Sequence, residues 1–342
     1  MSVADCDEFG SGTGILPVRL NPMKKRSRSS VTAPRALASV ATEPTVPTPG
    51  QTGGKPGRTS PTHLLPVRDY DLAATLNSGQ AFRWVWRGDA WQGVVGRRAV
   101  AVRQTDPGIA AQTAEPVADW DWLAEYLQTS VNLEAVLATF PDDEPMRAAV
   151  AACRGLRLLR QEPWECLASF ILSSTKQITQ IRQIVAELCR RFGEPLTALH
   201  QGEPCFSFPT AERLARCTEA ELRECKAGFR APYLLGSAQR VASGDCDLAR
   251  VADLSLAAAR SELIRLPGVG PKIADCALLF AFGFPTAFPL DVWVLRALGR
   301  LYFARRRVTP RRLRAFAETG FGPHAGFAQQ YLFHYIRTIH PA

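Results

Sequence analysis

The stretch LPGVGPKIADC (266–276) constrains the fold of this chain more than any other. The apolar segment ELIRL before it ends at Pro267, Gly268 and Gly270 allow backbone angles that other residues resist, and Pro271 suits the first turn of a following helix. Residues 262–283 therefore read as a helix-hairpin-helix. The exposed N–H groups of Gly268, Val269 and Gly270, reinforced by the positive end of the second helix, can hold a phosphate without reading a base.

Lys272 falls in the first turn of that second helix. The helix dipole disfavours a cation there, and partial burial, where the fold provides it, would add a desolvation cost; both act toward the neutral amine. A neutral amine can attack a carbon electrophile and form a Schiff base. Asp291, in TAFPLDVWV, stands 291 − 272 = 19 residues further on at the expected start of another helix. One helix and a short return loop would bring its carboxylate back to the lysine. Alone, Asp291 is more simply an N-cap; beside the hairpin and the lysine, a catalytic carboxylate is the better reading.

The rest of the chain is globular in texture. Of 342 residues 46% are hydrophobic and 21% charged, enough for a sizeable core and two to three domains. The net charge of +9 favours an anionic partner, which charge alone does not identify. Nine cysteines are scattered with no C-x-x-C, which predicts reduced thiols and no zinc or iron-sulfur site. The longest apolar run, ALLFAFGF, stops at Pro285 and is too short to span a bilayer, and Asp5, Asp7 and Glu8 do not suit a secretory signal.

Residues 1–62 are rich in Ser, Thr, Pro and Gly and predict a disordered tail; its KKRSR run reads most simply as a solvated charge cluster. AFRWVWR, WQGVVG and AVAVRQT, separated by turns at Gly88-Asp89 and Arg97-Arg98, predict an antiparallel meander within a β-containing domain at 63–140. From 141 to 342 the periodicity is helical, as in TQIRQIVAELCRRFG with Arg190, Arg191 and Gly193 at its end. The expected fold class is α+β: an N-terminal antiparallel β-sheet domain followed by an all-α helix-hairpin-helix body.

With LNSGQAFRW (76–84), GLRLLRQEPWECLASFILSS (155–174), AGFRAPY (227–233), LPGVGPKIADC, PLDVWV (289–294) and AGFAQQYLF (325–333) in this order, the chain resembles the helix-hairpin-helix DNA glycosylases, and within them the 8-oxoguanine DNA glycosylase/lyases. The resemblance covers nearly everything after the tail. It implies that Lys272 attacks C1′ of the damaged nucleotide to give an imine, with β-elimination to follow, and that Asp291 orients the nucleophile and stabilises positive charge on the sugar. It implies a pocket for an extruded base. There the Gly79 carbonyl accepts the N7–H that 8-oxoguanine has and guanine lacks, Cys276 and Phe333 sandwich the purine, and Gln329 reads its Watson-Crick edge. Taken alone, Cys276 and Phe333 are core residues and Gln329 an ordinary helical glutamine.

The resemblance also implies that Arg230 contacts the cytosine opposite the lesion, where a solvated helix-end arginine is an equally good reading of the residue itself. Four positions depart from the family pattern. Thr175 stands where a longer asparagine fills the gap left by the extruded base, Gln180 where an arginine helps recognise the cytosine, Phe229 where a tyrosine forms the wedge, and Trp293 where a histidine sits near a DNA phosphate. The expected function is excision of 8-oxoguanine from duplex DNA with abasic-site lyase action and no cofactor. The expected partner is duplex DNA carrying the lesion opposite cytosine, with weakened preference for that cytosine. A monomer with no membrane association is expected, nucleoid-associated in a bacterial cytoplasm or nuclear in a eukaryote. A glycosylase for another damaged base, or a DNA-binding protein without catalysis, are the alternatives.

Overall fold

Short aromatic and β-branched segments separated by glycine turns build the N-terminal sheet of the computed structural model. The structure describes residues 61–174, 176–199, 204–303 and 308–339, the side chain of 339 excepted. These residues belong to the compact unit Lys55–Ala342. The tail expected over 1–62 lies outside them up to residue 60, as does Thr175.

Strand β1 (His63–Pro66) leads into helix α1 (Leu72–Asn77), capped by Asp71 Oδ1, which accepts from the Ala74 N–H at 2.8 Å. Strands β2 (Val85–Arg87), β3 (Ala90–Val95), β4 (Arg98–Gln104) and β5 (Gly108–Thr113) follow, and the sheet is antiparallel in the order β1-β5-β4-β3-β2. The meander is β2 to β4, turning at Gly88-Asp89 and at Gly96-Arg97, one residue earlier than the sequence suggested. Strands β1 and β5 were not legible. β1 is only HLLP, and GIAAQT offers small residues in place of aromatics, so each becomes a strand through its partner and its burial.

The body is helical: α2 (Asp121–Leu127), α3 (Leu133–Leu137), α4 (Glu144–Cys153), α5 (Pro163–Ser173) and α6 (Ile178–Phe192) come first. A small ribbon of β6 (Pro195–Leu196) and β7 (Cys205–Phe206) precedes α7 (Ala211–Ala215) and α8 (Glu219–Glu224). A 3-10 turn at Gly228–Arg230 opens α9 (Ala231–Ala242), followed by α10 (Leu248–Val251), α11 (Leu256–Ile264), α12 (Pro271–Phe280), α13 (Val292–Leu301), α14 (Pro310–Gly320) and α15 (Ala325–Ile339).

Two apolar cores result. Trp84, Val100, Val102 and Ile109 of the sheet side pack with Leu72, Leu76, Leu123 and Leu127. The larger core is centred on α5 and α12, and α12 is buried at every position from Ile273 to Phe280, all apolar but Asp275, which pairs with Arg260 at 2.7 Å.

The hairpin between α11 and α12 corrects one expectation. Gly268 does adopt a positive φ of +74°, but Gly270 has φ −97° and ψ 179°, an extended conformation open to any residue. At Gly268 a Cβ would lie 2.6 Å from Tyr233 Cβ, so glycine is also needed for the close docking on α9. Ser237 Oγ donates to Pro267 O at 2.9 Å and secures the same contact. A Cβ on Gly270 would meet nothing within 4 Å, which leaves that side of the hairpin open.

Candidate active site

The local rules that start α12 and α13 also place the two candidate catalytic groups. Gly270 is the N-cap of α12 and Pro271 its first residue, so Lys272 stands in the first turn. Its Nζ donates to Ser173 Oγ at the end of α5, 3.4 Å away, and lies 5.1 Å from the Phe170 ring centroid. Asp291 is the N-cap of α13: Oδ1 accepts from the Val294 N–H at 2.8 Å. The cap is formed, and the capping carboxylate also lines the cleft that Lys272 faces.

That cleft has a volume of about 510 Å³, and its wall includes Gly79, Phe170, Ser173, Lys272, Asp291 and Phe333. Burial raises the Asp291 carboxyl above its ordinary range; the Val294 N–H and the nearby Lys272 charge pull the other way. Lys272 and Asp291 face the same space without closing into an ion pair, so the amine's approach to a ligand is not blocked by a direct carboxylate contact.

Gly79 is held in place from two sides. The buried Gln80 side chain donates to Thr75 O and Ser78 Oγ at 3.0 Å each and to Arg157 O at 2.8 Å, while its Oε1 accepts from the Leu159 N–H at 2.8 Å. From the last helix, Gln330 Nε2 donates to Ser78 O at 3.1 Å. Gly79 itself has φ +84°, and a Cβ there would approach Ile178 Cδ1 at 3.0 Å and Phe333 Cε1 at 3.5 Å. The glycine thus has a conformational reason and a spatial one.

The other pocket candidates divide. Phe333 is half-buried on the cleft wall. Cys276 lies deeper, within the helical core, and burial pushes its thiol up to about 12 against the opposing influence of Lys272. Gln329 is only 3% exposed, and its Oε1 has no hydrogen-bond partner among the described residues. An amide oxygen left unpaired in a core is costly unless a ligand completes it.

The hairpin residues and the AGFRAPY segment meet where Gly268 packs on Tyr233. Val269 is buried, so in the hairpin only backbone groups are offered to a partner. Phe229 is 57% exposed, as a wedge would be, and the Arg230 guanidinium stacks on its ring at 4.0 Å. Arg230 is 3% exposed, which removes the solvated helix-end reading. Gln180 is exposed and caps its own helix, with Oε1 accepting from the Gln177 N–H at 3.1 Å.

Sequence reasoning missed several residues of the cleft. Phe170 and Ser173 were quoted only as part of an apolar helix, although their spacing of three puts them on one face. Lys176 and Arg337 also line the cleft, and nothing in their local patterns separates them from other surface cations.

A helical body whose hairpin precedes a lysine and a capping aspartate on one cleft defines a class of base-excision DNA repair protein, and residues 168–323 match the HhH-GPD superfamily base excision DNA repair protein family. Residues 63–167 match the N-terminal domain of 8-oxoguanine DNA glycosylase. The chain belongs to the 8-oxoguanine DNA glycosylase family of that superfamily. It is 32% identical over 281 residues to the N-glycosylase/DNA lyase OGG1 of Arabidopsis thaliana, covering 77% of this chain and 76% of that one. Among solved structures it superposes on MBOgg1 bound to a low-affinity DNA ligand (TM-score 0.77, 32% identity, 82% of this chain and 98% of that one). It also superposes on the Clostridium acetobutylicum 8-oxoguanine glycosylase/lyase bound to duplex DNA with cytosine opposite the lesion (TM-score 0.76, 31% identity, 80% and 93%).

Proposed function

We infer that this chain is a bifunctional DNA glycosylase and abasic-site lyase that excises 8-oxoguanine from duplex DNA. The observation that carries the reading is the shared cleft, with Lys272 and Asp291 beside Gly79 and Phe333, in a chain of this family. The extruded nucleotide enters with its base toward Gly79 and Phe333. The Lys272 amine attacks C1′ as the bond to the base breaks, and the base leaves with the electron pair. The Asp291 carboxylate stabilises the positive charge that develops on the sugar. The nitrogen loses a proton, the C1′–O4′ bond opens as O4′ takes one up, and the imine forms between C1′ and Lys272; a proton then leaves C2′, the bond from C3′ to oxygen breaks, and the strand is cut. The chemistry uses the chain's own groups and duplex DNA.

Borohydride trapping tests the reading. The expected result is a covalent adduct on a duplex with 8-oxoguanine opposite cytosine, and none with Lys272→Gln or with undamaged DNA. Base release without an adduct would move the nucleophile from Lys272 to water, and absence of both would overturn the reading.

We propose further that the enzyme acts as a monomer on lesions opposite cytosine and prefers cytosine only weakly. Gln180 is a neutral residue engaged in capping α6, where the family pattern has a reading arginine, which supports this. Single-turnover rates against the four opposing bases are expected to differ by less than about tenfold, the span of roughly one recognition hydrogen bond; a preference for cytosine of several orders of magnitude would refute it.

A further inference from the structure

Arg337 is a cation in the cleft that forms no ion pair among the described residues. It sits one turn beyond Phe333 on α15, its guanidinium carbon 5.1 Å from the centroid of that ring, and it lines the same wall as Asp291 and Trp293. Its Nη1 lies 3.4 Å from where a Cβ on Gly79 would stand. Among the described residues it makes no hydrogen bond and no ion pair; burial disfavours its charge, and the Asp291 charge and the Phe333 ring face offset part of that. The half-buried guanidinium keeps its nitrogens open to the cleft, where they can donate to an incoming group, while partial burial disfavours its charge in the free protein. The charge becomes favourable when an anion arrives.

Resting on the function proposed above, we propose that Arg337 is the binding residue that grips a phosphate of the extruded nucleotide. The reacting C1′ must come to Lys272, and the phosphates flanking that sugar then stand at the cleft wall, where guanidinium forks match phosphate oxygens in pairs. Trp293, two residues after Asp291, cannot serve: its indole carries one N–H and no charge, and its ring is stacked under the Arg296 guanidinium at 5.0 Å. Arg337 also lies near the base pocket, but its place one turn past the stacking Phe333 and beside Asp291 favours the sugar-phosphate over the base edge.

The test is a double-mutant cycle on binding, so it does not need turnover. Duplexes carry an uncleavable tetrahydrofuran abasic analogue, with each flanking phosphate in turn replaced by a neutral methylphosphonate. One of the two replacements is expected to weaken wild-type binding by about tenfold, the scale of one charge-assisted contact. Arg337→Gln is expected to lose the same amount on native DNA, to be insensitive to that replacement, and to show a salt slope smaller by about one. Arg337→Lys keeps the charge and recovers part of the loss. Additive losses, or no effect of either methylphosphonate on the wild type, would overturn the proposal. If instead Arg337→Gln binds the abasic duplex normally and only loses discrimination between 8-oxoguanine and guanine, the guanidinium reads the base. A cycle that closes as expected while no 8-oxoguanine is released would leave the phosphate grip standing and sink the lesion assignment.

Discussion

In the proposed mechanism Asp291 carries two functions with different physical demands. Its Oδ1 caps α13, which asks only for an acceptor, while the charge it presents to the cleft asks for ionisation. Asp291→Asn keeps the acceptor and removes the charge. The excision rate is expected to fall by about 100-fold or more, the scale of losing one preorganised electrostatic group. Stability should move the other way. Burial raises the folded-state value of Asp291 above the unfolded one, so protonation favours the folded chain as pH falls, and that gain is lost as pH rises through the folded value. At neutral pH the ionised carboxylate therefore costs stability, and Asp291→Asn is expected to melt no lower than the wild type. Below the ordinary carboxylate range that advantage disappears. Melting curves at the two pH values check both signs, and a lower neutral melting point for Asp291→Asn would contradict them.

At the scale of elements, the hairpin works because a glycine allows two helices and a loop to approach. Gly268→Ala places a non-glycine residue at φ +74° and drives its Cβ to 2.6 Å from Tyr233 Cβ. The backbone strain alone is about 1–3 kcal/mol, and the clash adds to it because Tyr233 Cβ cannot rotate away. Denaturant unfolding is expected to register this loss, with DNA binding reduced more than stability because the hairpin shifts off α9. Gly270→Ala serves as the contrast: its backbone is extended and its surroundings empty, so stability should change by less than about 1 kcal/mol. Equal effects of the two substitutions on stability would contradict the account.

Across the whole molecule, a few buried polar links join the sheet to the helices and hold Gly79 over the cleft. Arg83, between α1 and β2, pairs with Glu165 of α5 at 3.3 Å and donates to Phe206 O. Its side chain is 10% exposed and that of Glu165 17%, so removing one partner leaves the other charge stranded. Glu165→Gln is expected to cost about 3–5 kcal/mol in denaturant unfolding, and an apolar replacement of both residues considerably less. A double variant as unstable as the sum of the singles would show that the pair acts through something other than its mutual charge. Gln80 plays the neutral version of the same part, tying Thr75, Ser78, Arg157 and Leu159 together around the glycine.

Lys272 and Asp291 were legible in the sequence because each begins a helix, and helix starts are written locally in Gly, Pro and Asp. The meander was legible for the same reason, its aromatic strands being divided by glycine turns. Strands β1 and β5 and the residues Ser173, Lys176 and Arg337 were not, because strand pairing and cleft membership depend on neighbours distant in sequence. The two catalytic candidates, the hairpin and the helical character of the body were determined by the sequence itself, through backbone preferences that act within a few residues. Tertiary structure alone decided that the loop after α1 and helices α5, α6, α12, α13 and α15 enclose one cleft, that Gln329 is buried with an unpaired oxygen among the described residues, and that Arg337 lines that cleft on the same wall as Asp291 without an ion pair to it. Those outcomes depend on how apolar faces pack and on which charges packing strands, and no local pattern encodes either.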